Sequence, residues 1–384
     1  MTTATAAQAG PASASVGAAS SGKRIVFLDY LRVFSCFLVI LVHASENYYG
    51  AGGESDMAGP TSMLLNEADR FWVSVYDGFS RMSVPLFFIV SAFLLAPMPA
   101  NVTMGQFYKR RFMHILPPFF IFVILYSTLP MLWGQISAET SATDLSRILL
   151  NFPTTAGHFW FMYPLISIYL FIPMISPWLA KATAKEERFF ILLFLISTCM
   201  PYMSRNWGEI WGQCFWNEYH LLWYFSGYLG YLVLAHYIRV HLTWDRATRL
   251  WAGTIMLIIG AIATIYSFYV QAIPGELLVT PVLEIGWAFC TINVVVLTTG
   301  AFLLFTCITQ TKAPAIVTRA SKLSFGIYLM HIFWLGFWVS IFKGTYNLPT
   351  VAAIPVIAIV TFICCYITTR LIAFLTGSKW IIGA

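Results

Sequence analysis

Ten stretches of the 384-residue chain are apolar over a length that suits a membrane, near residues 25–45, 75–96, 115–134, 159–179, 189–203, 217–237, 250–270, 281–307, 323–342 and 350–375. A helix rises about 1.5 Å per residue, so about 20 such residues cross a hydrocarbon core roughly 30 Å thick. The fifth stretch is short for this and predicts a tilted or longer helix. Connections are too short for a soluble domain. The pattern therefore predicts an all-α polytopic membrane protein, with one ten-helix membrane domain over residues 23–384. Residues 1–22 are mostly Ala, Ser, Thr and Gly without charge, and are expected to form a disordered tail. The tail does not read as a signal peptide, because Lys23 and Arg24 come after it.

Basic residues alternate between the connections. Lys23, Arg24, Lys109, Arg110, Arg111, Lys181, Lys185, Arg188, Arg239, Arg246, Arg249, Lys312, Arg319, Lys322, Arg370 and Lys379 fall on one side. The other side holds Arg70, Arg147, Arg205 and Lys343, together with Glu54, Asp56, Glu67, Asp69, Glu139, Asp144, Glu209 and Glu276. The positive-inside rule then places both termini in the cytoplasm. Composition agrees with the class: 59% of residues are apolar, 10% are charged, and mean hydropathy is +0.75. The net charge of +6 is spread thinly between spans, which excludes a nucleic-acid patch. The seven cysteines show no CxxC spacing, so neither a zinc site nor a disulfide framework is expected.

Against that apolar background, Arg32 and His43 stand inside the first span. An ionisable residue in hydrocarbon costs several kcal/mol unless it faces protein or water, which makes it a functional candidate. Eleven residues amount to about three turns plus 20°, so the two side chains share one helix face about 16 Å apart. Counted from Ile25, His43 lies about 27 Å in, close to the outer face. Glu46, three positions on, lies within reach of the imidazole and suits orienting a general base. Lys109, Arg110 and Arg111, followed by His114, form a basic cluster that suits a polyphosphate and equally an anionic lipid surface. His331, about nine residues beyond Lys322, is expected about 13 Å deep, near the midplane, among Tyr328, Phe333 and Trp334. Trp207, Trp211, Trp216, Tyr202 and Tyr219 form outer aromatic segments able to stack on sugars, as any membrane aromatic belt also does.

Together these segments resemble the integral-membrane acyltransferase 3 family. Leu28-Asp29-Tyr30-Leu31-Arg32 with His43 is similar to its first helix, and Val84 to Leu94 to its second. Phe107-Tyr108-Lys109-Arg110-Arg111 with Pro117 resembles its basic motif, His158-Phe159-Trp160-Phe161 the start of its fourth helix, and Ser324 to His331 its Ser-Phe-Gly-Ile-Tyr-Leu-x-His. The likeness runs in order from about residue 24 to 375. Two positions depart: Ala92 stands where Gly is usual, and His114 where a further Arg is common. No extracellular SGNH-type hydrolase domain is expected.

The resemblance implies transfer of an acyl group, commonly acetyl from acetyl-CoA, to a hydroxyl of an extracytoplasmic or lipid-linked glycan such as an exopolysaccharide. It implies acyl-CoA as donor, a place in a bacterial inner membrane, and a polysaccharide synthesis complex as partner; no metal is expected. His43, Arg32 and Glu46 become the catalytic candidates. Lys109, Arg110, Arg111, Tyr328 and His331 are assigned to the donor, and Trp160, Arg81 and His158 to the acceptor side, with Arg81 near the outer end of span two as an oxyanion donor. The competing class is a proton-coupled small-molecule transporter. No inverted repeat or matched pair of broken helices supports it. A structural subunit of an export complex would leave Arg32 and His43 without a role.

Overall fold

The computed structural model describes residues 24–49, 61–64, 66–208, 220–279 and 285–383. The tail 1–22 with Lys23, the acids Glu54, Asp56 and Glu209, and the aromatics Trp211, Trp216 and Tyr219 lie outside the described residues. The helices are α1 (Val26–Glu46), α2 (Glu67–Ser80), α3 (Ser83–Leu95), α4 (Met104–Thr128), α5 (Ala138–Ser146), α6 (Met162–Leu179) and α7 (Ala184–Ser197). They continue as α8 (Met200–Trp207), α9 (Tyr228–Val240), α10 (Arg246–Tyr269), α11 (Ile292–Thr306), α12 (Ala315–Val339), α13 (Thr350–Ile372) and α14 (Ser378–Ile382). Among the described residues, a short antiparallel ribbon, β1 (Thr61–Met63) with β2 (Leu277–Val279), departs from the helical pattern and joins two loops.

Nine helical segments among the described residues are long and apolar enough to cross a membrane. The sixth expected span falls short of that length. Its described part is a 3-10 turn, His220–Phe225, then a break at Gly227 (φ +71°), then the 13 residues of α9. That φ is open to glycine at little cost, and thirteen residues make only about 20 Å of helix. The fifth span is longer than the apolar run suggested, from Ala184 to Trp207. Its polar first turn folds because Thr183 and Glu186 cap it reciprocally.

The second span also starts earlier than expected, at Glu67, and runs as α2 and α3 to Leu95. Asn66 caps it, accepting from the backbone N–H of Asp69. Arg81 therefore sits midway along this segment instead of near its outer end.

α1 is the centre of the bundle, packed by α2, α3, α11, α12 and α13. Of its apolar window 72% is buried, against 17% for α10, which lies at the rim. α10 in turn packs tightly on α11. Gly260 meets the backbone of Leu297 and Gly300 that of Leu257 so closely that a Cβ at either would collide, the small-residue packing that membrane helices use.

Candidate active site

Two adjoining features make up the site: a basic pocket at the end of the bundle that carries most of the Lys and Arg, and a histidine cluster deeper in. The pocket measures about 190 Å³ and is lined by residues of α1, α3, α4, α6 and α12. Arg32, Arg111, Lys322 and His114 supply its polar wall with Tyr169, Ser91, Ser321 and Ser324, and among the described residues no carboxylate lines it. Asp29, one turn before Arg32, is engaged by other partners. It accepts from Arg24 at 2.5 and 2.9 Å and from the Ser321 hydroxyl at 2.8 Å, tying the start of α1 to α12. That hydrogen bond, first among the causes, raises the Arg24 pKa above its usual value. Nε of Arg111 is buried with no hydrogen-bond partner among the described residues. A pocket of uncompensated cations calls for an anion.

Arg111 thus lines the pocket as the basic motif suggested, whereas Lys109 and Arg110 are exposed and do not. Phe107, on the buried face of α4, sets this rotation, since positions three and four apart share a face.

Above the pocket, three imidazoles converge. His43 stacks on His331 with ring centroids 5.2 Å apart and planes 25° apart, and meets His158 at 6.3 Å. His158 and His331 lie edge to face at 4.8 Å. The depth inferred from sequence for His331 therefore needs correction, because it sits at the level of His43. Lys322 is not at the surface end of its helix; α12 starts at Ala315, two turns earlier. Counted from the helix starts, both histidines lie about 25 Å in.

Each ring is held differently. Nδ1 of His43 lies 2.6 Å from the Glu46 carboxylate, an acceptor, so Nδ1 is the donor of this pair and Nε2 faces away from it. Nδ1 of His331 donates to the Tyr328 carbonyl at 2.5 Å, and its Nε2 has no partner among the described residues. Both nitrogens of His158 lack one as well. Unsatisfied buried polar groups cost about 1–3 kcal/mol each, so several at one point mark a site built for something other than stability.

Behind Glu46 stands a second ion pair. Arg81 contacts Asp77 at 2.7 and 3.0 Å and Glu46 at 3.7 Å, and its guanidinium lies 4.2 Å over the Trp287 ring. Tyr49 donates to Asp77 at 3.1 Å; burial first, then that carboxylate, keeps its phenol protonated well above the usual range. Arg81 is therefore placed to fix Glu46, not to face the histidines. Trp160 stacks on Phe289 at 5.4 Å, and Phe289 lies 5.9 Å from Arg81, forming an aromatic wall on this side.

Tyr328 joins the two features. Its ring lines the pocket and lies 5.7 Å from His158 and 5.9 Å from His331, and its hydroxyl donates to the His158 carbonyl at 2.7 Å. Of the candidates read from sequence, the structure gathers Arg32, Arg111 and Tyr328 at the pocket and His43, Glu46, His158 and His331 at the cluster, so that His331 sits with His43 and not in the pocket wall. Asp77, Tyr49, Tyr169 and Lys322 were not singled out. Asp77 had a signal, an acid four residues before Arg81 inside a span, whereas Tyr169 had none.

No curated protein and no solved structure matches the chain significantly. A family model described as an acyltransferase domain matches residues 25–370. That stretch contains every residue of the pocket and the histidine cluster, and the chain belongs to the acyltransferase 3 family of membrane acyltransferases.

Proposed function

We propose that the protein moves an acyl group from acyl-CoA, bound at the basic end, to a hydroxyl of an extracytoplasmic or lipid-linked glycan, with acetyl-CoA as the expected donor. One observation supports this reading: a cationic pocket is separated by the Tyr328 ring from a histidine cluster in which Nδ1 of His43 is held by a buried carboxylate. Phosphates of the donor pair with Arg111, Lys322 and Arg32, and the acyl-bearing arm passes Tyr328 to reach His43. Nε2 of His43 removes the acceptor's hydroxyl proton as its oxygen attacks the thioester carbonyl. The C–S bond then breaks, and the proton passes to the departing thiolate. His158 and His331 line the place where charge develops. The aromatic wall of Trp160 and Phe289 offers faces for the sugar rings of the acceptor. The basic end faces the cytoplasm in this reading, with both termini there, in a bacterial inner membrane. The test is membranes given radiolabelled acyl-CoA and read for label on glycan. His43→Ala should insert normally and lose at least a hundredfold in transfer, the low end for a positioned acid–base group. Near-normal labelling by well-expressed His43→Ala protein would remove this residue from the mechanism.

A further inference from the structure

A second polar cluster is buried at the basic end, between α7 and α9, away from the pocket and the three histidines. Glu187, in the first turn of α7, has no exposed surface. Its Oε1 lies 2.8 Å from Nδ1 of His236 and 3.2 Å from Nε2 of His241. One donor atom from each residue falls within 4.8 Å of the others. Glu187 Oε2 is buried with no hydrogen-bond partner among the described residues. The His236 side chain is 3% exposed and that of His241 19%, which leaves one approach from the surface.

As a hydrogen-bonded knot this arrangement is poor. Two imidazoles crowd one carboxylate oxygen, while the other oxygen, able to accept as well, is left bare in a buried site. As a donor set it is complete in kind. Two imidazole nitrogens and a carboxylate are the protein ligands of a three-ligand zinc site, with water as the fourth. Bonds of about 2.0–2.1 Å in a tetrahedron put neighbouring donor atoms roughly 3.3 Å apart, so the 2.8 Å contact must open slightly, the 3.2 Å one already fits, and the widest separation, within 4.8 Å, must close. A carboxylate that binds through both oxygens would also employ the bare Oε2.

We propose that Glu187, His236 and His241 hold a divalent first-row transition ion, zinc by donor type, as a clip between α7 and α9. The expectation of no metal rested on cysteine spacing, and histidines five apart with a glutamate 49 residues before the first leave no such pattern. None of the three residues lines the pocket, so the ion's role is structural. α9 packs on α3, and Arg239 of α9 donates to the carbonyl of Phe93. α3 in turn supplies Phe87, Val90 and Ser91 to the pocket wall, so a fixed α9 steadies that wall. The alternative is a metal-free hydrogen-bonded pair of the Glu187 carboxylate and a histidine.

The experiment uses the full chain purified in detergent and equilibrated with zinc chloride, with bound metal measured by plasma mass spectrometry. About one zinc per chain is expected. Cobalt exchanged into the same protein should show tetrahedral d–d absorption. The thermal midpoint should fall on chelation and recover with added zinc. Glu187→Gln and His236→Gln should lose the ion; full retention in either would place it elsewhere and overturn the proposal. If the variants fail to insert, the wild-type cobalt spectrum decides. Wild-type protein that binds no ion, or melts identically with zinc and chelator, is the metal-free pair. Metal content and melting are read without an acyl-transfer assay, so the result stands apart from the transferase reading.

Discussion

Glu46→Gln separates the charge behind His43 from the histidine itself. Glutamine keeps the size of the side chain, and its carbonyl can still accept from Nδ1, so the ring's position should survive. The ion pair behind it should also survive. Arg81 keeps its 2.7 and 3.0 Å contacts with Asp77 and loses only the longer 3.7 Å one. What disappears is the charge on the acceptor 2.6 Å from Nδ1. Hydrogen bonds to charged groups contribute about 1.5–3 kcal/mol, most of it here when His43 carries a second proton in the transition state. At about 1.36 kcal/mol per decade this is a loss in kcat of roughly 10- to 150-fold. Initial rates of label transfer from acyl-CoA, normalised to membrane-inserted protein, measure it. KM for the donor should stay within about twofold, because neither His43 nor Glu46 lines the pocket. A well-inserted Glu46→Gln protein with kcat within about twofold of wild type would refute the dyad. So would a loss that appeared entirely in KM.

Arg111→Ala should raise the donor KM by roughly 10- to 150-fold, the value of charge-assisted bonds to phosphate, while exposed Arg110→Ala should cost about fivefold or less. Equal effects in a donor-binding assay would mean the basic motif acts as a surface charge and not through the pocket. Tyr328→Ala should raise acceptor-independent release of free acyl groups, since it opens the pocket to the histidines. Tyr328→Phe keeps the ring and loses one hydrogen bond, about 1 kcal/mol; unchanged hydrolysis in Tyr328→Ala would deny the ring a gating role. Gly300→Val sets a side chain against the Leu257 backbone and should destabilise the protein by about 1–3 kcal/mol or more, read as a lower thermal midpoint. A midpoint equal to wild type would mean that α10 and α11 separate freely.

The membrane class and most helices were legible because hydrocarbon imposes a length and a composition that few other environments demand. Arg32, His43 and Glu46 were legible for the same reason, as polar exceptions on one helix face. Legibility ended where partners came from elsewhere in the chain. Asp77 looks like a costly acid in a span until Arg81 and Tyr49 surround it. Tyr169 reads as one aromatic among many until α6 brings it to the pocket. Glu187 reads as part of a capped, solvated first turn, which Glu186 indeed is, while the neighbouring position turns inward onto two histidines of α9. The same limit shifted the helix starts. Glu67, Asp69 and Arg70 argued against membrane helix by composition, yet capping, a Glu67–Arg70 pair and the Arg70 contact with Tyr269 satisfy them, and α2 forms eight residues earlier than the apolar run predicts.

Those shifted starts bear on the proposed transfer. Measured from the apolar runs, His43 and His331 would lie at different levels, one near the far surface and one at the midplane, and could not share a reaction. Measured from the true starts of α1 and α12, they coincide, and the 5.2 Å stack between them follows. Arg32, six residues into α1, then lies about 9 Å from the basic end and His43 about 16 Å beyond it along the helix. A donor anchored by its phosphates at Arg111 and Lys322 need only extend its arm over that interval, through the position Tyr328 occupies. In the proposed reaction the acceptor approaches from the side of Trp287, Trp160 and Phe289, where aromatic faces predominate. The cations of the pocket then match the donor's phosphates and the rings of Trp160 and Phe289 match the acceptor, with Tyr328 between the pocket and the three histidines.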